Sequence, residues 1–140
     1  MKILVAIESK GKPEECAHTT FRWAARAGFD MRIFVPKKEV KAYQEGVDDA
    51  NYHYYLVGRD ETDIVVGGQK PLKYAKANGY DLVLLVPDNL LDYSEVENDD
   101  KSMVDFATDA GAARKEFGLK PDLEEVQLQN ECRMVRVPYE

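Results

Sequence analysis

The chain has few of the residues that build metal or disulfide frameworks. Its 140 residues include two cysteines, two histidines and one tryptophan. Cys16 and Cys132 lack the paired spacing of a zinc site, and two cysteines without a signal peptide do not indicate a disulfide framework. We therefore expect both cysteines to be reduced thiols in a cytoplasmic protein.

Long hydrophobic runs are also missing. The apolar start, Ile3–Ile7, is too short for the core of a signal peptide and far too short to span a bilayer. The sequence therefore predicts a protein that does not enter a membrane.

Basic residues are outnumbered, with 19 Lys and Arg against 26 Asp and Glu and a formal net charge of -7. Such a charge repels a phosphate backbone, so nucleic acid is not expected as a direct high-affinity ligand. The acidic excess lies late in the chain, in residues 92–100 and 122–125, whereas Lys10 and Lys12 lie near its start. The early basic loop therefore remains able to bind a small anion.

Apolar residues make up 44% of the chain and occur in short runs between polar stretches. The length fits one domain, residues 1–140, because two halves would each have a marginal core. Runs of strand type alternate with segments of helical spacing, which predicts an α/β fold: a three-layer, Rossmann-like arrangement of a mainly parallel sheet flanked by helices.

The pattern predicts the following strands, the last of them at an edge: Ile3–Ile7, Met31–Val35, Tyr52–Val57, Leu82–Val86 and Cys132–Val137. Helices are predicted over Phe21–Ala27, over Lys37–Glu45 and from Asp100 to Gly118. A further helix is predicted whose first turn holds Pro71 and which ends near Asn78-Gly79.

The loop after the first strand is a candidate anion site. It reads Ser9-Lys10-Gly11-Lys12 and precedes a helix, so it could hold a phosphate or the edge of a nucleotide through charge and backbone donors. It lacks both the glycine pattern of a dinucleotide fingerprint and the signature of a P-loop. A solvated turn is the alternative.

Asp88 follows the apolar strand Leu82–Val86 and could ligate a divalent cation together with phosphate oxygens of a substrate. The alternative is that Pro87-Asp88-Asn89 is only a turn. Two interpretations of Cys16 are also open. It is either a reactive thiol near the start of a helix or a small buried side chain. Tyr52, Tyr54 and Tyr55 either stack on a base or pack in the core.

Taken together, the pattern resembles one enzyme family. The first strand ends in Ser9-Lys10-Gly11-Lys12-Pro13, the second ends at Val35-Pro36 with Glu39 and Tyr43 beyond it, and a helix precedes the strand Leu82–Val86. This order is similar to the nucleotide-binding half of GT-A glycosyltransferases, in particular the TET-associated glycosyltransferases of phages, which modify hydroxymethylated pyrimidines in DNA.

The resemblance covers roughly residues 1–90 and implies a site for a nucleotide sugar with Mg²⁺ or Mn²⁺. It implies that the donor is contacted by residues of the first loop and of the later helix: Ser9, Lys10, Gly11, Lys12, Gln69 and Lys73. Asp88 would be the metal ligand, the one carboxylate where the family has two or three. Too little chain follows for an acceptor-binding half. We therefore expect a reduced glycosyltransferase-like domain that binds a nucleotide or nucleotide sugar without full transferase activity.

A second hypothesis stays open beside the first. A small acidic accessory protein, phage-encoded and working in the host cytoplasm, would bind a host or viral protein through the acidic loop 95–100. This hypothesis predicts a protein partner and no small-molecule ligand. Whether the chain is an enzyme is left undecided by the sequence.

Overall fold

A computed structural model of the chain describes residues 2–21, 30–45, 52–59, 69–88, 111–128 and 132–139. The predicted first helix beyond Phe21, the predicted helical residues 100–110 and the acidic loop 95–100 lie outside the described residues. Binding of a protein partner through that loop therefore stays a prediction.

Six strands form one mixed sheet in the order β3-β2-β1-β4-β6-β5. Their bounds are β1 Ile3–Glu8, β2 Met31–Pro36, β3 Leu56–Arg59, β4 Leu82–Val86, β5 Glu125–Gln127 and β6 Arg133–Arg136. The first four strands run parallel, while β6 is antiparallel to both β4 and β5. The α/β fold with a mainly parallel sheet is confirmed.

Helices cover both faces of this sheet. They are α1 Pro13–Cys16, which continues into a π-helical turn at Ala17–Phe21, α2 Val40–Glu45 after a 3₁₀ turn at Lys37–Glu39, α3 Gln69–Ala77, and α4 over residues 111–119. Cys16, Tyr43 and Phe117 bring α1, α2 and α4 into one core cluster, and Ala75 brings α3 into the other. In the described part of the chain, no helix has the length and apolar character needed to cross a membrane.

β1 is apolar from Ile3 to Ile7 because both of its faces are covered. Val5 and Ile7 contribute to the cluster shared with α1, α2 and α4, whereas Leu4 and Ala6 contribute to the cluster under α3. All four side chains are fully buried, as expected for a central parallel strand. Side chains alternate along a strand, so Ser9 extends the row of Val5 and Ile7 and points toward α1 and α2.

The predicted strand Tyr52–Val57 is wrong over its first four residues. Tyr52–Tyr55 forms a 3₁₀ turn, and β3 begins only at Leu56. Tyr52 is 1% exposed, and its ring packs edge-to-face on Phe21 with ring centroids 4.7 Å apart. Aromatic packing against the first helical segment, and not strand pairing, therefore sets the backbone of these residues.

The predicted edge strand at Cys132–Val137 exists as β6 but does not lie at the edge. It pairs with β4 on one side and with β5 on the other, and β5 is the edge strand. Arg136 of β6 also fixes the end of α4, since its Nε donates to the carbonyl of Leu123 and its Nη2 to the carbonyls of Phe117 and Lys120. A helix end needs such partners because its last carbonyls have none within the helix.

Gly79 ends α3 in a left-handed conformation, with φ of 76°. The amide of Tyr80 donates to the carbonyl of Ala75, and that of Gly79 to the carbonyl of Lys76, which together form a Schellman cap. A Cβ at Gly79 would meet no atom within 4 Å. The Gly79→Ala variant should therefore lose about 1 to 2 kcal/mol of unfolding free energy from backbone strain alone, measured by urea denaturation.

Gly111→Ala is the matched control for this prediction. Gly111 lies in α4, and a Cβ there also meets nothing within 4 Å. Alanine is the better helix former, so this variant should be neutral or more stable by up to about 1 kcal/mol. Equal losses of stability in both variants would contradict the assignment of the effect to positive φ.

Candidate functional site

The carboxyl ends of β1 and β4 lie side by side. The order of the strands in the sheet reverses between these two strands. The connection after β1 leads to β2 on one side, whereas β4 pairs with β1 on the other. Loops diverge at such a switch point, and ligands of open α/β sheets bind there. Residues 9–12 and residues 87–88 follow the two strands.

A directed chain of hydrogen bonds joins these two loops. Ser9 Oγ donates to Asp88 Oδ2 at 2.7 Å and lies 2.6 Å from the hydroxyl of Tyr43. Because Ser9 has one hydroxyl hydrogen and gives it to Asp88, the Tyr43 hydroxyl must donate to Ser9. The same Tyr43 oxygen accepts the backbone N–H of Lys12 at 3.2 Å. Ser9 is 3% exposed, so this chain anchors the loop from below.

One backbone amide of the loop already donates to a carboxylate of the protein. Glu39 Oε1 accepts the N–H of Gly11 at 2.5 Å, and Gly11 has a φ of 67°, which favours glycine. The amides of Gly11 and Lys12 are thus both used within the protein. A ligand phosphate would reach the Gly11 amide only by displacing Glu39.

The side chains of Lys10 and Lys12 are the open cationic groups of the loop. Both residues are exposed, and within the described ranges neither ammonium group has an ion pair or a hydrogen bond. An anchored backbone that presents two unpaired lysines suits an anion better than a neutral ligand. The loop's capacity for phosphate therefore comes from side-chain charge more than from backbone donors.

Asp88 is held in place by its neighbours. Besides the bond from Ser9, the carbonyl of the preceding Pro87 accepts the hydroxyl of Thr20 at 2.7 Å. The residues that the structure describes contain no group of three or more His, Cys, Asp or Glu side chains able to hold a metal ion. Asp88 thus belongs to no such group, and a cation bound to it would need its remaining ligands from water and from oxygens of the bound molecule.

The structure does not bring Lys73, one of the two predicted residues of α3, to this cluster. α3 packs on the face that carries Leu4 and Ala6, opposite to the face of Ser9. Lys73 is exposed, and over the described parts of the chain no hydrogen bond or ion pair connects it to Ser9 or Asp88. Gln69 is the first residue of α3. Ser9, Gly11, Lys12 and Asp88 therefore lie together in one cluster, with Lys10 beside it.

Sequence reasoning missed one residue of this site, Arg59. It is the last residue of β3, is 2% exposed, and donates from Nη2 to the carbonyl of Ser9 at 3.1 Å. The one signal available in the sequence was a charged residue at the carboxyl end of a strand. Glu39 and Tyr43 were part of the family resemblance but had no assigned role.

Cys16 lies under the loop as a buried thiol. It is fully buried, and burial raises the pKa of its thiol from an ordinary value of 9.0 to about 12, with a further raising contribution from the Asp88 charge. Cys132 is likewise a free, buried thiol. The reading of Cys16 as a packed side chain is favoured over that of a nucleophile, since the thiolate is the reactive form. Tyr52 similarly packs in the core, while Tyr54 is exposed.

The raised pKa of Cys16 predicts alkaline sensitivity. Between about pH 9 and pH 12 the unfolded chain releases the thiol proton that the native state keeps, so stability falls as pH rises through this range. The contribution is about 1.4 kcal/mol per pH unit for one group. Urea titrations at pH 8 and pH 10 should show a smaller loss of stability in Cys16→Ala than in the wild type. Identical losses in the two proteins would show that Cys16 ionises normally.

Comparison with known proteins supplies no relative for this site. No family model matches the chain, and no curated protein or solved structure does so either. The glycosyltransferase resemblance therefore remains a prediction from the sequence pattern, and the site is interpreted from its geometry.

Proposed function

We propose that the protein binds a phosphate-bearing small molecule, a nucleotide or a nucleotide sugar, at the loop 9–12 beside Asp88. The observation that carries the proposal is the anchoring of this loop at a switch point of the sheet, with Lys10 and Lys12 exposed on it. The proposed activity is binding, in the manner of a reduced glycosyltransferase domain, and it includes no complete transfer reaction.

Rigidity and local charge both support this proposal. The bonds from Ser9 to Asp88 and from Lys12 to Tyr43 order the loop before any ligand arrives, which lowers the entropy lost on binding. The chain carries a net charge of -7, so its overall charge repels phosphate. Two unpaired lysines on one ordered loop therefore mark where a phosphate is attracted.

A divalent cation has a defined place in the proposal. Mg²⁺ or Mn²⁺ would bind between Asp88 and phosphate oxygens of the ligand, as Mg²⁺ does in sites with one or two carboxylates. The cation would offset the repulsion between the Asp88 carboxylate and the ligand phosphates. Binding of the nucleotide should then be stronger with the metal than without it.

The first test is thermal unfolding with nucleotides and nucleotide sugars, with and without Mg²⁺ or Mn²⁺, because a ligand of the native state raises the melting temperature. The double variant Lys10→Ala/Lys12→Ala should bind the best ligand at least about tenfold more weakly, since a hydrogen bond to a charged group contributes about 1.5 to 3 kcal/mol. Isothermal titration calorimetry gives the affinities.

The control is Lys76→Ala/Lys120→Ala, which removes the same charge from two exposed lysines away from the loop. Its affinity should equal that of the wild type at moderate salt. If no nucleotide shifts the melting temperature at millimolar concentration, or if both double variants lose affinity equally, the proposed site is wrong.

Glu39 competes with the ligand for the loop, which gives a second test of the same site. In Glu39→Gln the side-chain oxygen can still accept the Gly11 amide, but the negative charge beside Lys10 and Lys12 is gone. Affinity for the best nucleotide should rise about two- to fivefold, as expected for removal of one partly exposed unfavourable charge.

Glu45→Gln is the matched control for Glu39→Gln. Glu45 is an exposed acid of α2 whose carboxylate lies 3.9 Å from Lys41. Its neutralisation should leave nucleotide affinity unchanged. A fall in affinity in Glu39→Gln would contradict the competition and would assign Glu39 to the support of the loop.

A further inference from the structure

Arg59 crosses the carboxyl edge of the sheet. It ends β3 and pairs in register with Pro36 of β2, while its guanidinium reaches the carbonyl of Ser9 beyond β1. With adjacent strands about 4.8 Å apart, the side chain bridges roughly 10 Å over the end of β2. The guanidinium therefore lies directly beside the loop that carries Lys10 and Lys12.

Most of the hydrogen-bonding capacity of this guanidinium is unused. Nη2 donates to Ser9, but Nε and Nη1 are buried and have no acceptor among the residues that the structure describes. An arginine cannot release its charge by deprotonation in a protein. Burial of a cation with only one acceptor is unfavourable, so packing alone does not explain an arginine at this position.

Two other arginines of the same sheet show the contrast. Arg32 donates from Nε to the hydroxyl of Tyr74 and from Nη1 to Asp30, and it is only partly buried. Arg136 donates from Nη2 to the carbonyl of Phe117 near the end of α4 and from Nε to the carbonyl of Leu123 in the turn that follows. In both, Nε has an acceptor within the protein. Arg59 is more deeply buried than Arg32 and Arg136, and it has fewer acceptors than either among the described residues.

We infer that Arg59 binds an oxyanion, the phosphate group of the ligand, through Nε and Nη1. The planar guanidinium matches phosphate oxygens in geometry and charge. The choice of phosphate over carboxylate rests on the proposed function, because the lysines of the adjoining loop would share the same group. Arg59 is 2% exposed and its Nε and Nη1 are buried, so the side chains that cover them must move aside when the anion enters.

The inference is tested with inorganic phosphate and pyrophosphate as probes, by calorimetry and thermal unfolding. The wild type should bind at least one of them, and Arg59→Met should bind it at least about tenfold more weakly. Without ligand, Arg59→Met should melt at the same temperature as the wild type or higher, because an unpaired buried charge is replaced by an apolar side chain. Arg32→Met is the control and should keep the phosphate affinity.

Several outcomes would overturn the inference. One is absence of any phosphate or pyrophosphate response in the wild type, which does not depend on the folding of a variant. Others are unchanged phosphate affinity in Arg59→Met or in Arg59→Lys, which keeps the charge but not the planar donors. Binding of citrate or succinate in place of phosphate, with loss in Arg59→Met, would overturn the assignment to phosphate.

Nucleotide titrations of the same variants separate this inference from the proposed function. Nucleotide binding that persists unchanged in Arg59→Met would overturn the role of Arg59 and leave the nucleotide site standing. Phosphate binding that requires Arg59, in a protein that binds no nucleotide, would support the oxyanion site and overturn the proposed function.

Discussion

β1 has helices against both faces and a parallel strand on each side, so the direction of Ser9 is set before the loop begins. Alternation along the strand places Ser9 in the row of Val5 and Ile7, under α1 and α2. That direction brings its hydroxyl to Tyr43 on one side and to Asp88 on the other. The order of the whole candidate site depends on this central strand.

The polar groups of the site divide into two kinds. The neutral groups and the Asp88 carboxylate are hydrogen-bonded to one another. The Lys12 amide, the Tyr43 hydroxyl and the Ser9 hydroxyl form a continuous series of hydrogen bonds that ends at Asp88. The cationic groups of Lys10, Lys12 and Arg59 keep N–H groups without acceptors among the described residues. A site whose neutral groups are satisfied internally but whose cations keep open donors is suited to a ligand that brings acceptors and negative charge.

Sequence patterns predicted the parts of the fold that buried apolar runs determine. β1, β2 and β4 follow such runs, and the meeting of Ser9 with Asp88 follows from the rule that parallel strands end at one edge. β5 reads Glu-Val-Gln and carries no apolar run, so it could not be recognised. Arg59 could not be predicted because its role depends on a side chain that crosses a neighbouring strand, which a linear pattern does not encode.

The burial of Arg59 has a consequence for how stability and binding are related in this protein. A guanidinium in water must lose its hydration when a phosphate binds, whereas Arg59 has lost it already during folding. The unfavourable desolvation therefore lowers the stability of the unliganded fold and not the affinity for the anion. In surroundings of low dielectric, the attraction between the two charges is also stronger than at an exposed lysine. A less stable unliganded protein and a stronger oxyanion contact are thus two effects of the same buried side chain.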